Sequence, residues 1–171
     1  MTFSAIAALA ASASFIAAVS WAGAMDLVTM KIRNGLILIL LSLYAILAPL
    51  ADWSIAEIGM SAALAGGVLV CTFVCFAFGW IGGGDAKLAP VVALWLGADQ
   101  APVYLIYSAI FGGVLTLALL QFRMLLLPAF CLDIPWITRL HDKDTGVPYG
   151  VAMAAAALVV FPDTPWLTFP I

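Results

Sequence analysis

Charge is what this chain has least of. Its 171 residues include only six basic and nine acidic side chains, 9% of the total, while 66% are hydrophobic. A soluble domain carries about a quarter charged residues. A chain this short has too little interior to hide so much apolar surface from water. The scarcity therefore excludes an ordinary soluble domain and points to an integral membrane protein, with residues 1–171 forming one domain. Six scattered basic residues make no stripe for a nucleic acid, and none is expected as a partner. Histidine occurs once, as His141, and cysteine three times, as Cys71, Cys75 and Cys131, with no CxxC pair. That pattern supplies neither a disulfide framework nor a zinc site, and no cofactor is expected. Cys71 and Cys75, four apart, read as small apolar packing residues on one helix face. No Lys or Arg precedes Lys31, so the first apolar run lacks the positive start of a signal peptide and is too long for its core; it reads as a retained span. Phosphate loops and nucleophile elbows are missing as well.

What is present is a series of apolar runs. A helix crossing the hydrocarbon needs about 20 mostly apolar residues. Residues 2–25, 35–50, 58–80, 101–122 and 147–161 fit or nearly fit, and 88–97 is a shorter sixth. The expected architecture is all-α, a bundle of about six transmembrane helices. The run 124–132 is interrupted by Pro128 and reads as lying along the interface, and Pro148 suits the first turn of the last helix. Charge then orients the bundle. Lys31, Arg33, Lys87, Arg123, Arg139 and Lys143 all fall in loops on one side of a six-span arrangement; Asp52, Glu57, Asp99 and Asp163 fall on the other. Basic loops mark the cytoplasmic side. Both termini are thus expected outside, with Asp26, Asp85 and His141 facing the cytoplasm. The residues 88–97 must cross for this to work.

Carboxylates at a membrane boundary are costly and usually have a task. Asp26 directly follows the first run, and Asp85 follows the third through Gly82, Gly83 and Gly84. Both are expected at the cytoplasmic leaflet, where they can meet across helices. Two close carboxylates share a proton, which suits aspartyl proteolysis: one takes a proton from water, the other donates to the peptide carbonyl. Glycine permits close backbone approach and unusual φ/ψ, as an extended peptide substrate would need. The plainer readings are an interhelical glycine turn with Asp85 as helix cap, and Asp26 paired with Lys31 or Arg33. Lys87 is placed near Asp85, tuning it or anchoring its helix at the headgroups. His141, Asp142 and Asp144 read as solvated loop residues, the two acids also as an attraction for a basic peptide. Trp21, Trp53, Trp80, Trp95, Trp136 and Trp166 mostly fall near span ends, as in an aromatic belt. Ala62–Gly66 and Gly67–Cys71 have the small-xxx-small spacing of close helix packing.

Asp26 followed by Lys31-Ile32-Arg33-Asn34, then Gly82-Gly83-Gly84-Asp85-Ala86-Lys87-Leu88, then Pro148-Tyr149-Gly150-Val151-Ala152, resembles the type IV prepilin peptidase family of GxGD membrane aspartyl proteases, in particular the small branch serving Flp/Tad-type pili. The resemblance implies an endopeptidase of the bacterial inner membrane that cuts the basic leader from a prepilin, before its hydrophobic helix, at the cytoplasmic face. It implies Asp26 and Asp85 as the catalytic pair, Gly82 and Gly84 as motif glycines and Lys87 as a further motif residue. Larger members also methylate the new N-terminus and carry a cysteine-rich zinc region between the first two spans. Here that loop runs only over 26–34 and has no cysteine, so methyltransferase activity is not expected. Many members have Ile-Pro-Asn where this chain has Ile32-Arg33-Asn34. Two rivals remain: a presenilin-type protease, whose later Pro-Ala-Leu element is missing here, and a non-enzymatic subunit using Asp26 and Asp85 as a proton relay.

Overall fold

The structure, a computed structural model, describes residues 2–167, apart from the side chains at 129 and 130. Every regular element among them is helical: α1 (Phe3–Thr29), α2 (Asn34–Leu50), α3 (Ile55–Ala77), α4 (Gly83–Phe122), α5 (Ala129–Leu132), α6 (Pro135–His141) and α7 (Tyr149–Val160), then a 3₁₀ turn, Phe161–Asp163. Three of them, α1, α3 and α4, are long and apolar enough to cross a membrane; α2 and the stretch Tyr149–Asp163 are shorter and apolar.

The 40 residues of α4 would run about 60 Å if straight, twice the hydrocarbon thickness. They do not run straight. Gly97 has φ 80° and ψ 168°, outside helical geometry, in a region that favours glycine. The chain folds back there, so that Ala89 and Ser108 line the same cavity. The arms 83–96 and 98–122 correspond to the expected fourth and fifth spans. With α1, α2, α3 and α7 they make six apolar segments. The first arm is the most enclosed part of the bundle, buried nearly all round from Leu88 to Leu96, which explains its continuous apolar sequence and lack of a polar face.

Two of the boundaries that differ from expectation have clear local reasons. Helix α3 starts at Ile55 rather than 58, because Ser54 and Glu57 form a capping box: Ser54 Oγ accepts from Glu57 N at 3.2 Å and Glu57 Oε2 from Ser54 N at 2.7 Å. Helix α1 continues to Thr29 and ends on Met30 in the left-handed region, whose N–H donates to Asp26 O. Asp26 therefore sits one turn inside the helix. The polar stretch 138–146 is not all loop either, since α6 takes its first part.

The tight helix contact is not where the spacing placed it. Ala62, Gly66, Gly67 and Cys71 face outward on α3, and both glycines have open space beside them. The close approach is between α1 and α7, where a Cβ on Gly23 would come within 2.8 Å of Ala154 Cβ. Three tryptophans also depart from the belt. Trp53, Trp95 and Trp166 are buried and cluster with Tyr44, Phe15 and Phe161 at one end of the bundle. Their polar tips explain why burial is tolerated for two of them: Trp95 Nε1 donates to Leu40 O at 3.1 Å, and Trp166 Nε1 to Trp95 O at 2.7 Å. Trp21 and Trp80 remain exposed.

Candidate active site

The other end of the bundle holds the two aspartates. Asp26 comes from the last turn of α1 and is buried; Asp85 is the third residue of α4. They are 59 positions apart in sequence, yet both line two adjoining cavities. The larger, about 850 Å³, lies among α3, the second arm of α4 and the start of α7. The smaller, about 520 Å³, lies under residues 30–34. Gly82 borders both, and Gly84 borders the smaller.

The two carboxyl groups are held by different means. Asp26 is fixed from a distance: Gly150 N, 124 residues on, donates to Asp26 Oδ2 at 2.8 Å. Gly150 is the second residue of α7, so the carboxyl sits at the positive end of that helix. A Cβ on Gly150 would meet Asp26 Oδ2, Cβ and Cγ at 2.8–2.9 Å; no other residue type fits there without moving the aspartate. The Tyr149 ring lies against Gly112 on α4, which has no side chain to exclude it. Asp85 is instead held locally. Its carboxyl turns back over Gly82, the N-cap of α4, so closely that a Cβ on Gly82 would stand 3.1 Å from Asp85 Oδ2.

The motif glycines serve closeness and not unusual backbone angles. Gly82 has φ −71°, and Gly83 and Gly84 lie in the first turn of α4. The left-handed glycine is Gly79, just before them. A Cβ on Gly84 would stand 3.2 Å from Ile32 Cβ, and one on Gly83 3.2 Å from the Phe76 ring. Ile32 belongs to the segment with Arg33 where a proline is common in the family the motifs resemble. Arg33 adopts extended angles before α2 (φ −74°, ψ 136°), within the range a proline holds, so the turn keeps its shape.

Other residues singled out by charge or type are placed differently from expectation. Lys87 does not line either aspartate cavity; its Nζ donates to Asn34 Oδ1 at 3.0 Å, tying the start of α4 to the start of α2. Lys31 and Arg33 line the smaller cavity, while Asp142 and Asp144 line neither. Asp142 Oδ1 instead accepts from Asp144 N at 3.0 Å, a local turn bond. Apart from the two aspartates, the charged side chains that line these cavities are thus basic. His141 is not a free loop residue: its Nε2 bonds to Leu125 O at 2.8 Å, and the ring packs edge-on against Phe122. Arg123 donates to Leu140 O, Thr145 O and Gly146 O, and Arg139 to Val28 O, so the segment leading into α7 is strapped to α4 and α1. Reading the sequence for charged and metal-binding side chains missed Gly150, whose contribution is a backbone N–H. The one signal for it was its place in Pro148-Tyr149-Gly150.

A family model, the type IV leader peptidase family, matches residues 13–117. The chain belongs to that family. The matched stretch carries Asp26, residues 31–34 and Gly82 to Lys87, and stops before α6 and α7. No match was found among curated proteins or solved structures. Type IV leader peptidases are proteases, and the run of apolar helices makes this member a multi-pass membrane protein.

Proposed function

We propose that the protein is an aspartyl endopeptidase of the bacterial inner membrane that removes the leader from Flp/Tad-type prepilins at the cytoplasmic face. The observation that carries this reading is the shared wall: Asp26 and Asp85, from separate helices, border the same two cavities. In the reaction, a water oxygen attacks the scissile carbonyl carbon and its proton passes to the ionised carboxylate. The protonated partner gives its proton to the carbonyl oxygen, forming a gem-diol. Collapse breaks the C–N bond, and the amine nitrogen leaves with a proton from the pair. No metal or covalent nucleophile takes part. Gly82 and Gly84 keep the approach open and tight, and Lys87 holds α4 against α2.

Orientation follows from charge. The aspartates share their end of the bundle with Lys31, Arg33, Lys87, Arg123, Arg139 and Lys143, which supports a cytoplasmic site and external termini. The anionic leaflet beside it attracts a basic leader. The substrate's apolar helix approaches through the bilayer. The loop between α1 and α2 is only 30–33, without cysteine, which supports cleavage without methylation.

The test is co-expression with a Flp-type prepilin, followed by mass spectrometry of the pilin. Expected is a shortened pilin with an unmethylated N-terminus. A full-length prepilin beside correctly inserted protein would refute the peptidase reading; a methylated N-terminus would refute the single-activity part.

A further inference from the structure

Buried serine and threonine hydroxyls in these helices follow a habit. Ser12 and Ser61 each donate to the carbonyl four residues back, at 2.8 Å (Ala8 O and Glu57 O). Such a bond satisfies the hydroxyl at little cost to the helix. In the larger cavity, Thr116 does the same to Gly112 O at 2.7 Å, and Thr72 donates across to Ala86 O at 2.9 Å. Ser108 breaks the habit. It is 8% exposed, lines the cavity that Asp26 and Asp85 share, and its Oγ has no well-formed hydrogen bond. Behind it, one turn earlier on the same face of α4, stands Tyr104, fully buried, its hydroxyl within reach of Ser108 and likewise without a well-formed bond.

An unsatisfied buried hydroxyl is costly, and one on a residue that lines the cavity, with a second behind it, needs a reason. The substrate supplies one. A peptide cut inside a membrane enzyme must leave its helix over the residues around the scissile bond, baring N–H and C=O groups. Among apolar neighbours such as Ala89, Ala109 and Met153, those groups need donors and acceptors from the wall. A serine hydroxyl both donates and accepts. Tyr104 Oη–H can donate to Ser108 Oγ, and with the serine turned about its Cα–Cβ bond toward the cavity its own proton is left for a partner there.

We propose that Ser108 is a substrate-positioning residue: its hydroxyl donates to a main-chain carbonyl of the extended substrate strand lying across Asp26 and Asp85, and Tyr104 orients it from behind. This rests on the peptidase reading above. The bond holds the strand and touches none of the reacting atoms, so its loss weakens binding more than chemistry.

The experiment is steady-state cleavage of a Flp-type prepilin by the purified full-length protein in proteoliposomes. Ser108→Ala is expected to raise KM about tenfold, the worth of one hydrogen bond to a buried partner, with kcat changed less than about threefold and thermal unfolding unchanged. Ser108→Thr keeps the hydroxyl and should restore KM to within about threefold of the unaltered protein. Tyr104→Phe should raise KM in the same direction by less than Ser108→Ala does. An unchanged KM in Ser108→Ala, or a loss of activity that tracks a lower unfolding temperature in both Ala and Thr variants, overturns the assignment. Absence of cleavage by the unaltered protein would instead sink the peptidase reading itself.

Discussion

The two ends of this bundle are built on different plans. At one, Trp53, Trp95, Trp166, Tyr44, Phe15 and Phe161 pack between helices, with ring centroids as close as 4.6 Å and only a smaller cavity of about 290 Å³ beside Trp53. At the other, about 16 Å away along α1, small residues and glycines leave two cavities with carboxyl groups in their walls. Each plan needs the other. A site whose walls are set by what is missing has little packing of its own to hold helices in place. The aromatic end does that work, clamping the reversal at Gly97 through bonds from Trp95 to Leu40 and from Trp166 to Trp95. The carboxyl groups are then placed by single contacts, a backbone hydrogen bond from Gly150 to Asp26 and the close approach of Asp85 to Gly82.

That contrast can be broken from either side. Trp95→Ala removes the largest fully buried side chain of the aromatic end. It should lower stability by about 3–5 kcal/mol, measured by equilibrium unfolding in detergent; a loss under about 1 kcal/mol would show that this end is no clamp. Gly150→Ala should do the reverse. Its methyl displaces Asp26 with the far end untouched, so prepilin cleavage should fall about 100-fold while tryptophan fluorescence and unfolding stay as they were. Turnover near that of the unaltered protein would mean that the Gly150 contact does not set the position of Asp26. The smallest effect belongs to Lys87→Met. Its hydrogen bond to Asn34 is exposed, and Lys87 itself lines neither aspartate cavity, so cleavage should stay within about threefold. A much larger loss would put Lys87 back among the residues that act on substrate.

Much of this is legible in the sequence alone. Composition suffices for a membrane bundle, and the partition of basic and acidic residues requires 88–97 to be a separate segment, which the reversal at Gly97 provides. The aspartates are legible because carboxyl groups are rare in this chain. Three things are not. Spacing alone does not say which small residues meet: Gly23 meets Ala154, while Gly66 and Gly67 face outward. A tryptophan near a span end reads the same whether it faces lipid or core, and only tertiary packing puts Trp95 inside. Gly150 acts through an N–H that every residue but proline carries, so its type signals a need for space and not the hydrogen bond itself. Ser108 is invisible for a related reason, since what sets it apart is a bond it does not make.

The central claim is that Asp26 and Asp85 act as one unit. It is tested most directly by cleavage of a Flp-type prepilin by purified Asp26→Asn and Asp85→Asn proteins, each checked for intact unfolding behaviour. Each substitution alone should abolish cleavage, by a factor of about 10³ or more, and the double variant should be no worse than either. Substantial cleavage by one of the two single variants would contradict the paired role.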